Sequence, residues 1–208
     1  MRIKPLTKVG LKAATITLAR EHAIFARVYE TYGSPPLWDR EPGFATLLQI
    51  ILEQQVSLAS AKACYDKLEA RLGHVTPENV LSLDDAEMRS VGFSRQKAAY
   101  ARHLAQALIA KHIDLNDLQT MPDADVKATL MRLKGVGEWT SDIYLLMALL
   151  RPDVMPKGDI ALHAAYRQLT GEPRPSSDKF IEIAEAWRPY RSVAARLLWH
   201  FYLSEKRR

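Results

Sequence analysis

Apolar residues recur at the three- and four-residue spacing of an amphipathic helix along almost the whole chain. The segments with this pattern are Leu11–Tyr32, Phe44–Gln54, Ser57–Leu72, Arg95–Lys111, Asp123–Leu133, Glu138–Leu150, Ile160–Thr170, Asp178–Trp187 and Arg191–Ser204. Helix start signals agree with it, because Thr76 and Pro77 supply a capping side chain and a proline at the first helical position. No alternating five-residue segment in the sequence has turn residues on both sides, as a strand would. The sequence therefore predicts an all-α fold.

Two loops rich in proline and glycine, residues 33–43 and 151–158, divide these predicted helices into groups. We expect a central helical domain over residues 43–151. The flanks, residues 1–42 and 152–208, are each thin in apolar residues, so we expect them to pack together as a second helical lobe. An active site would then lie in the cleft between the two lobes, where ligand sites are common.

Composition narrows the class of protein. The chain has 208 residues, a net charge of +5 and an isoelectric point near 9.3, which weakly favours an anionic partner such as nucleic acid. The single cysteine, Cys64, excludes an internal disulfide, a four-cysteine zinc site and a four-cysteine iron–sulfur cluster. The longest apolar run, residues 143–150, is far shorter than the roughly 20 residues that a membrane span needs. With no targeting segment at the N-terminus, we expect a cytoplasmic monomer, nucleoid-associated if it binds DNA.

The segment Gly135-Val136-Gly137 lies between two predicted helices. Glycines there permit positive φ and leave no Cβ between the backbone amides and an approaching phosphate, and the helix from Glu138 adds its positive end to the same place. A helix C-cap followed by a turn would also explain a glycine. The wider pattern Leu-x-Gly-Val-Gly-x-x-Thr, with helices on both sides, instead indicates a helix-hairpin-helix that binds phosphates without reading sequence. The candidate DNA-binding residues are Lys134, Gly135, Val136, Gly137 and Thr140.

A weaker copy of this turn occurs earlier in the chain. The segments 89–97 and 132–140 align with a constant offset that places Gly92 against Gly135. We therefore expect a second backbone clamp at Gly92. Arg95 and Lys97 follow it and could reach a phosphate, although a solvated helical face explains them almost as well.

Asp159, in the segment Pro-Lys-Gly-Asp-Ile, places one carboxylate at the mouth of the helix predicted over Ile160–Thr170. An aspartate at this position can simply cap the helix. A phosphate clamp together with a lone acid indicates an enzyme that cuts a bond on a nucleotide.

Four features occur in the order found in the helix-hairpin-helix DNA glycosylases: Ile50–Ser57, Val91–Lys97, Leu133–Thr140 and Asp159. Within that superfamily the chain most resembles the branch of 3-methyladenine DNA glycosylase II, from about Phe44 to Tyr202. The resemblance implies a monofunctional base excision repair enzyme that acts on double-stranded DNA containing damaged bases. Such an enzyme flips out an alkylated purine of the 3-methyladenine or 7-methylguanine type and hydrolyses its N-glycosidic bond, leaving an abasic site.

The resemblance also implies roles for individual residues. Asp159 would stabilise the cationic sugar that forms as the base departs. Members with a lyase step carry a lysine at the position of Trp139, so the tryptophan implies hydrolysis without lyase activity, and the missing cysteines imply no iron–sulfur cluster. Trp139 and Trp199, together with Tyr144, would form a base pocket whose aromatic faces prefer a cationic base.

The corner Gln54-Gln55-Val-Ser57 would enter the DNA, with Gln55 filling the gap left by the flipped nucleotide. Hairpins of this family often bind a monovalent cation through backbone carbonyls, which here would be those of Gly135 and Gly137. No other cofactor and no obligate protein partner is implied. Two alternatives stay open: a glycosylase for a deaminated or oxidised base, and a non-catalytic helix-hairpin-helix module that binds damaged DNA.

Overall fold

The computed structural model describes residues 4–206, and within that range the secondary structure is entirely helical. This confirms the predicted all-α fold. The α-helices are α1 (Lys8–Glu21), α2 (Ala23–Tyr32), α3 (Phe44–Glu53), α4 (Leu58–Leu72), α5 (Pro77–Leu81), α6 (Asp85–Ser90), α7 (Arg95–Ile109), α8 (Asp123–Leu130), α9 (Glu138–Ile143), α10 (Ile160–Thr170), α11 (Ser177–Ala184) and α12 (Arg191–Glu205). None of the helices in this range is long and apolar enough to span a bilayer.

The chain forms two compact units. The first unit combines the chain up to Asp39 with the chain from Leu145 onward, and so contains α1, α2 and α10 to α12. The second unit covers Arg40–Tyr144 and contains α3 to α9. The domain limits expected from the sequence, at residues 43 and 151, lie a few residues further along the chain than the limits of these units.

Two of the predicted helices are interrupted. The segment expected as one helix over Leu11–Tyr32 breaks at His22, whose extended backbone (φ −134°, ψ 117°) ends α1 and begins α2. The break lets α1 and α2 pack on each other and bury Leu18 and Phe25. The segment expected over Glu138–Leu150 continues past α9 as the π-helical stretch Tyr144–Ala148.

Local capping explains where several helices begin. At the start of α5 the Thr76 hydroxyl accepts a hydrogen bond from the Asn79 amide, and Pro77 lies in the first turn, as the sequence predicts. Asp84 and Glu87 form a reciprocal capping box at the start of α6.

Helix α12 lies at the centre of the first unit and packs against α1, α2 and α10. Its Val193, Ala194 and Leu197 are fully buried. Helix α3 has the same role in the second unit, where it packs against α4, α7 and α9.

A fully buried arginine on α12, Arg196, organises the first unit. Its guanidinium donates to the carbonyls of Leu37 (2.7 Å), Leu146 (2.8 Å) and Ser192 (3.1 Å). Burial lowers the pKa of Arg196 to about 10. Because the planar guanidinium has several donors in a fixed geometry, one side chain holds both the loop at Leu37 and the π-helical stretch at Leu146 on α12.

We predict that Arg196→Met destabilises the protein by about 3 kcal/mol, because it leaves the buried carbonyls of Leu37 and Leu146 without donors. Urea unfolding followed by circular dichroism measures this. Arg167→Met is the control, since Arg167 is exposed on α10 and its loss should change stability by no more than about 0.5 kcal/mol. Equal midpoints for the two variants would contradict the role given to Arg196.

Candidate active site and nucleic-acid interface

Asp159 begins α10 and its carboxylate is held in one orientation. Its Oδ1 accepts the backbone amide of Leu162 at 3.0 Å and the indole N–H of Trp199 at 3.2 Å. The residue is only 8% exposed. Asp159 is therefore a helix cap and, at the same time, a carboxylate positioned by a side chain forty residues further along the chain.

A carboxylate in this setting is suited to stabilising positive charge. The N-terminal end of α10 favours a negative charge at Asp159, and the surrounding protein excludes most water. Electrostatic interactions in such a site are less screened than in bulk water, so a cation that forms beside the carboxylate is strongly stabilised.

Trp199 has a different geometry from the one expected of a ring that stacks on a base. Only 8% of the residue is exposed, and its N–H is committed to Asp159. The ring of Trp38 meets it edge to face, with centroids 6.4 Å apart and planes at 74°. Trp38 could not be assigned to this site from the sequence, since a proline-rich loop has no periodicity that indicates which of its side chains pack inward.

The other expected pocket residues belong to the second unit. Trp139 is half-buried on α9. Tyr144 is fully buried, and its hydroxyl accepts the Gly43 amide at 3.0 Å. Burial raises the pKa of Tyr144 to about 12. A side chain with no exposed surface offers nothing to a base, so the expectation that Tyr144 lines the pocket is wrong in this structure.

The predicted hairpin is formed by α8, residues 131–137 and α9. Gly135 has a φ of 88°, and a Cβ on it would collide with the ring of Tyr100. Glycine is therefore required twice over, for its backbone conformation and for the close approach of the ring. The buried Val136 fastens the turn through its amide, which donates to the Leu133 carbonyl at 3.1 Å.

Gly137 is used differently from Gly135. It caps the N-terminus of α9 with an ordinary φ of −108°, it is exposed, and a Cβ on it would meet open space. What the missing side chain provides here is an uncovered backbone at the start of a helix, where a phosphate can approach.

Gln54 ties the hairpin to the end of α3. Its Nε2 donates to the Gly135 carbonyl and to the Thr140 hydroxyl, both at 2.8 Å. Thr140 is only 2% exposed. The Thr140 hydroxyl and Nε2 of Gln54 therefore hold the turn, which corrects the expectation that the buried Thr140 contacts DNA directly. Direct DNA contact by the half-buried Gln54 stays a prediction.

The corner that follows Gln54 is exposed. Gln55 has a left-handed backbone (φ 57°), and Ser57 caps α4 by accepting the Ser60 amide at 3.1 Å. Val56 and Leu58 on either side of Ser57 are 45% and 58% exposed. The exposure of these two apolar side chains could not be predicted from the sequence, since helical spacing gives no sign that they face solvent.

The second glycine turn, between α6 and α7, also has the expected backbone, with a φ of 101° at Gly92. Arg95 is exposed at the start of α7. Lys97 is not available in the same way, because its ammonium donates to the Leu52 carbonyl at 2.6 Å and burial lowers its pKa. Lys97 thus supports the C-terminal end of α3, and its assignment as a phosphate contact stays a prediction. Lys134 is exposed beside the first hairpin, and its amide donates to Nδ1 of His103 at 3.3 Å.

The two carbonyls proposed for a monovalent cation each accept hydrogen bonds within the second unit, and the cation site stays a prediction. The Gly135 carbonyl accepts from Gln54, and the Gly137 carbonyl accepts both the amide and the hydroxyl of Ser141 at 3.0 Å. Among residues 4–206, no cluster of three or more histidine, cysteine, aspartate or glutamate side chains is placed to hold a metal ion.

A family model described as "HhH-GPD superfamily base excision DNA repair protein" matches residues 48–189, more than half of the chain. This match includes the corner, both glycine turns and Asp159.

Individual relatives agree with it. The chain is 26% identical over 181 residues to YfjP of Bacillus subtilis, which carries the name of a DNA-3-methyladenine glycosylase; the match covers 83% of this chain but 63% of that protein's length. The fold matches the structure of Schizosaccharomyces pombe 3-methyladenine DNA glycosylase Mag1 in complex with abasic DNA, with a TM-score of 0.85, 26% identity and coverage of 93% and 97% of the two chains. A DNA-3-methyladenine glycosidase from Bacillus halodurans matches with a TM-score of 0.76, 28% identity and coverage of 100% and 95%.

The two hairpin glycines provide a matched pair of variants. We predict that Gly135→Ala destabilises the protein by about 2 kcal/mol, since its methyl group meets the Tyr100 ring at a positive φ. Gly137→Ala should cost less than about 1 kcal/mol. We nevertheless expect it to weaken binding to undamaged duplex DNA about fivefold, because the methyl group would obstruct a phosphate that approaches the start of α9. Thermal unfolding and fluorescence anisotropy measure the two effects, and normal DNA affinity in Gly137→Ala would contradict the phosphate site.

Proposed function

The chain belongs to the HhH-GPD superfamily of base excision DNA repair proteins, and on that premise we propose that it is a DNA glycosylase acting on alkylated purines of the 3-methyladenine and 7-methylguanine type. The observation that carries this proposal is the buried carboxylate of Asp159, oriented by the Leu162 amide and the Trp199 indole. The names of the relatives from Bacillus subtilis, Schizosaccharomyces pombe and Bacillus halodurans support the choice of substrate class.

In the proposed reaction the bond between the sugar C1′ and the purine nitrogen breaks, and the bonding electrons leave with the base. Positive charge develops on the sugar, and the Asp159 carboxylate stabilises it. A water molecule then adds its oxygen to C1′ and releases a proton, so that the products are the free base and an abasic site. Alkylation at N3 or N7 of the purine already makes the base cationic and a better leaving group, so no further acid is needed to expel it.

The orientation of Asp159 is part of this mechanism. Two donors to Oδ1, the Leu162 amide at the start of α10 and the Trp199 indole on α12, hold the carboxylate in place before substrate binds. A preorganised charge stabilises the transition state more than a mobile one, because it needs no reorganisation during the reaction. We assign Trp199 the positioning of this carboxylate.

The proposed enzyme is monofunctional. A lyase reaction of this superfamily needs an amine to form a Schiff base with the sugar, and the hairpin position that would supply it holds Trp139. Lys134 lies on the other side of Gly135, at a position we assign to phosphate contact.

DNA contact is assigned to two features of the second unit. The uncovered backbone of Gly137 faces solvent, as does the side chain of Lys134, and both are suited to a phosphate. The exposed corner with Gln55 at its tip, flanked by Val56 and Leu58, is suited to insertion between unstacked bases. Since Gln54 binds the Gly135 carbonyl, the corner and the hairpin are held in one register.

We predict release of 3-methyladenine and 7-methylguanine from methylated duplex DNA, at a rate at least about tenfold above that of hypoxanthine, uracil or 8-oxoguanine from matched duplexes, because only the methylated purines are cationic. Chromatography of the released bases measures this. No protein–DNA adduct should form when borohydride is added.

Each other outcome corrects a different part of the proposal. Preferred release of uracil or 8-oxoguanine would replace the substrate class and keep the glycosylase. A borohydride-trapped adduct would overturn the monofunctional assignment. Binding to the methylated duplex without release of any base would leave a non-catalytic DNA-binding protein.

A further inference from the structure

Glu53 is the last residue of α3 and directly precedes the corner assigned to DNA contact, yet the proposed reaction gives it no role. A carboxylate at the C-terminal end of a helix is unfavourable in itself, because that end carries partial negative charge. The Glu53 side chain is nevertheless only 9% exposed. An acid so largely removed from water requires a partner that offsets the loss of hydration.

The partner is Arg40, in the loop that leads into α3. Its Nη2 donates to Oε1 of Glu53 at 2.8 Å, and its Nη1 donates to Oε2 at 3.3 Å. The Arg40 side chain is 21% exposed. Two bonds between a planar guanidinium and a carboxylate fix the orientation of both groups, which a single contact on a solvated surface does not do. The pair therefore ties the loop to the C-terminal end of the helix that follows it.

Three consecutive residues before the tip of the corner each contact a different part of the second unit: Leu52 contacts α7, Glu53 the loop before α3, and Gln54 the hairpin. The next residue, Gln55, is exposed and has a left-handed backbone with a φ of 57°. This conformation is uncommon for residues other than glycine and persists where the surroundings enforce it. The three contacts thus fix the backbone from which the Gln55 side chain projects.

Resting on the proposed insertion of this corner into DNA, we propose that the Arg40–Glu53 pair is a positioning element that holds Gln55 ready to enter the gap left by a flipped nucleotide. A residue that is fixed before binding loses little conformational freedom on insertion, so more of its contact energy contributes to affinity. That contribution arises only where the DNA has a gap to fill. The pair therefore sets the preference for DNA with a missing base over intact duplex.

The test measures the ratio of two affinities by fluorescence anisotropy, one for a duplex with a single abasic site and one for the undamaged duplex of the same sequence. Phosphate contacts are common to both duplexes, so the ratio isolates insertion. Gln55→Ala removes the inserting side chain and should lower the ratio most. Arg40→Gln should lower it about threefold or more. Arg40→Lys should lower it similarly, because lysine keeps the charge but lacks the planar fork of donors.

Glu53→Gln tests the same pair from the acid side and should also lower the ratio. Because the two residues act through one contact, the double variant Arg40→Gln/Glu53→Gln should lower the ratio no further than Arg40→Gln alone.

Arg102→Gln is the matched control. Arg102 lies on α7 of the same unit, its side chain is 28% exposed, and it donates to the Asp85 carboxylate at 2.6 Å. The variant removes the same charge from a comparable ion pair, so it should leave the ratio within about 1.5-fold of the wild type.

An unchanged ratio in either Arg40 variant would overturn the positioning role and leave the proposed insertion intact. An equal fall of the ratio in Arg102→Gln would overturn it too, because net charge and not position would then be responsible. A wild-type ratio near one, or an unchanged ratio in Gln55→Ala, would refute insertion by Gln55 and the role of the pair with it. The assay of base release tests the glycosylase itself independently of these outcomes.

Discussion

The buried guanidinium of Arg196 is the interaction on which the first unit depends. A charged group without exposure is costly unless its donors are satisfied, and Arg196 meets that condition with backbone carbonyls. In doing so it fixes two stretches of chain that lack regular α-helical hydrogen bonding, the loop at Leu37 and the π-helical stretch at Leu146. The loop contains Trp38, whose ring packs edge to face against Trp199. Trp199 in turn donates a hydrogen bond to Asp159. The geometry of the proposed site thus begins with a residue that cannot itself touch DNA.

The second unit is also held together by polar side chains that donate hydrogen bonds to backbone carbonyls. There the side chain of Gln54 satisfies the Gly135 carbonyl and the Thr140 hydroxyl, while Lys97 satisfies the Leu52 carbonyl. Gln54, Thr140 and Lys97 have polar or charged side chains of the kind that often contact DNA, yet in this structure they form hydrogen bonds within the unit. The features of this unit that face solvent and are assigned to DNA contact are the backbone at Gly137, the side chain of Lys134 and the corner around Gln55.

Much of this could be predicted from sequence, and the reasons for the rest are physical. Helical periodicity identified the α-helical fold, and paired glycines located the hairpin, because both depend on local conformation. The break at His22 and the π-helical stretch after Ile143 could not be predicted, since the spacing of apolar residues continues through both and only the packing of the helices interrupts them. The same holds for the roles of side chains. Asp159 was identified as a cap and as an acid, but its bond to Trp199, the burial of Tyr144 and the place of Trp38 all require long-range contacts.

The central claim is that the Asp159 carboxylate stabilises the developing cation of the sugar. The most direct measurement is single-turnover release of 7-methylguanine by Asp159→Asn, together with the affinity of this variant for the same duplex. Asparagine keeps the acceptor oxygen for Leu162 and Trp199 but removes the negative charge. We predict a release rate at least about 100-fold below the wild type with affinity unchanged within about threefold. Release within a few-fold of the wild-type rate would reduce Asp159 to a helix cap and contradict the account.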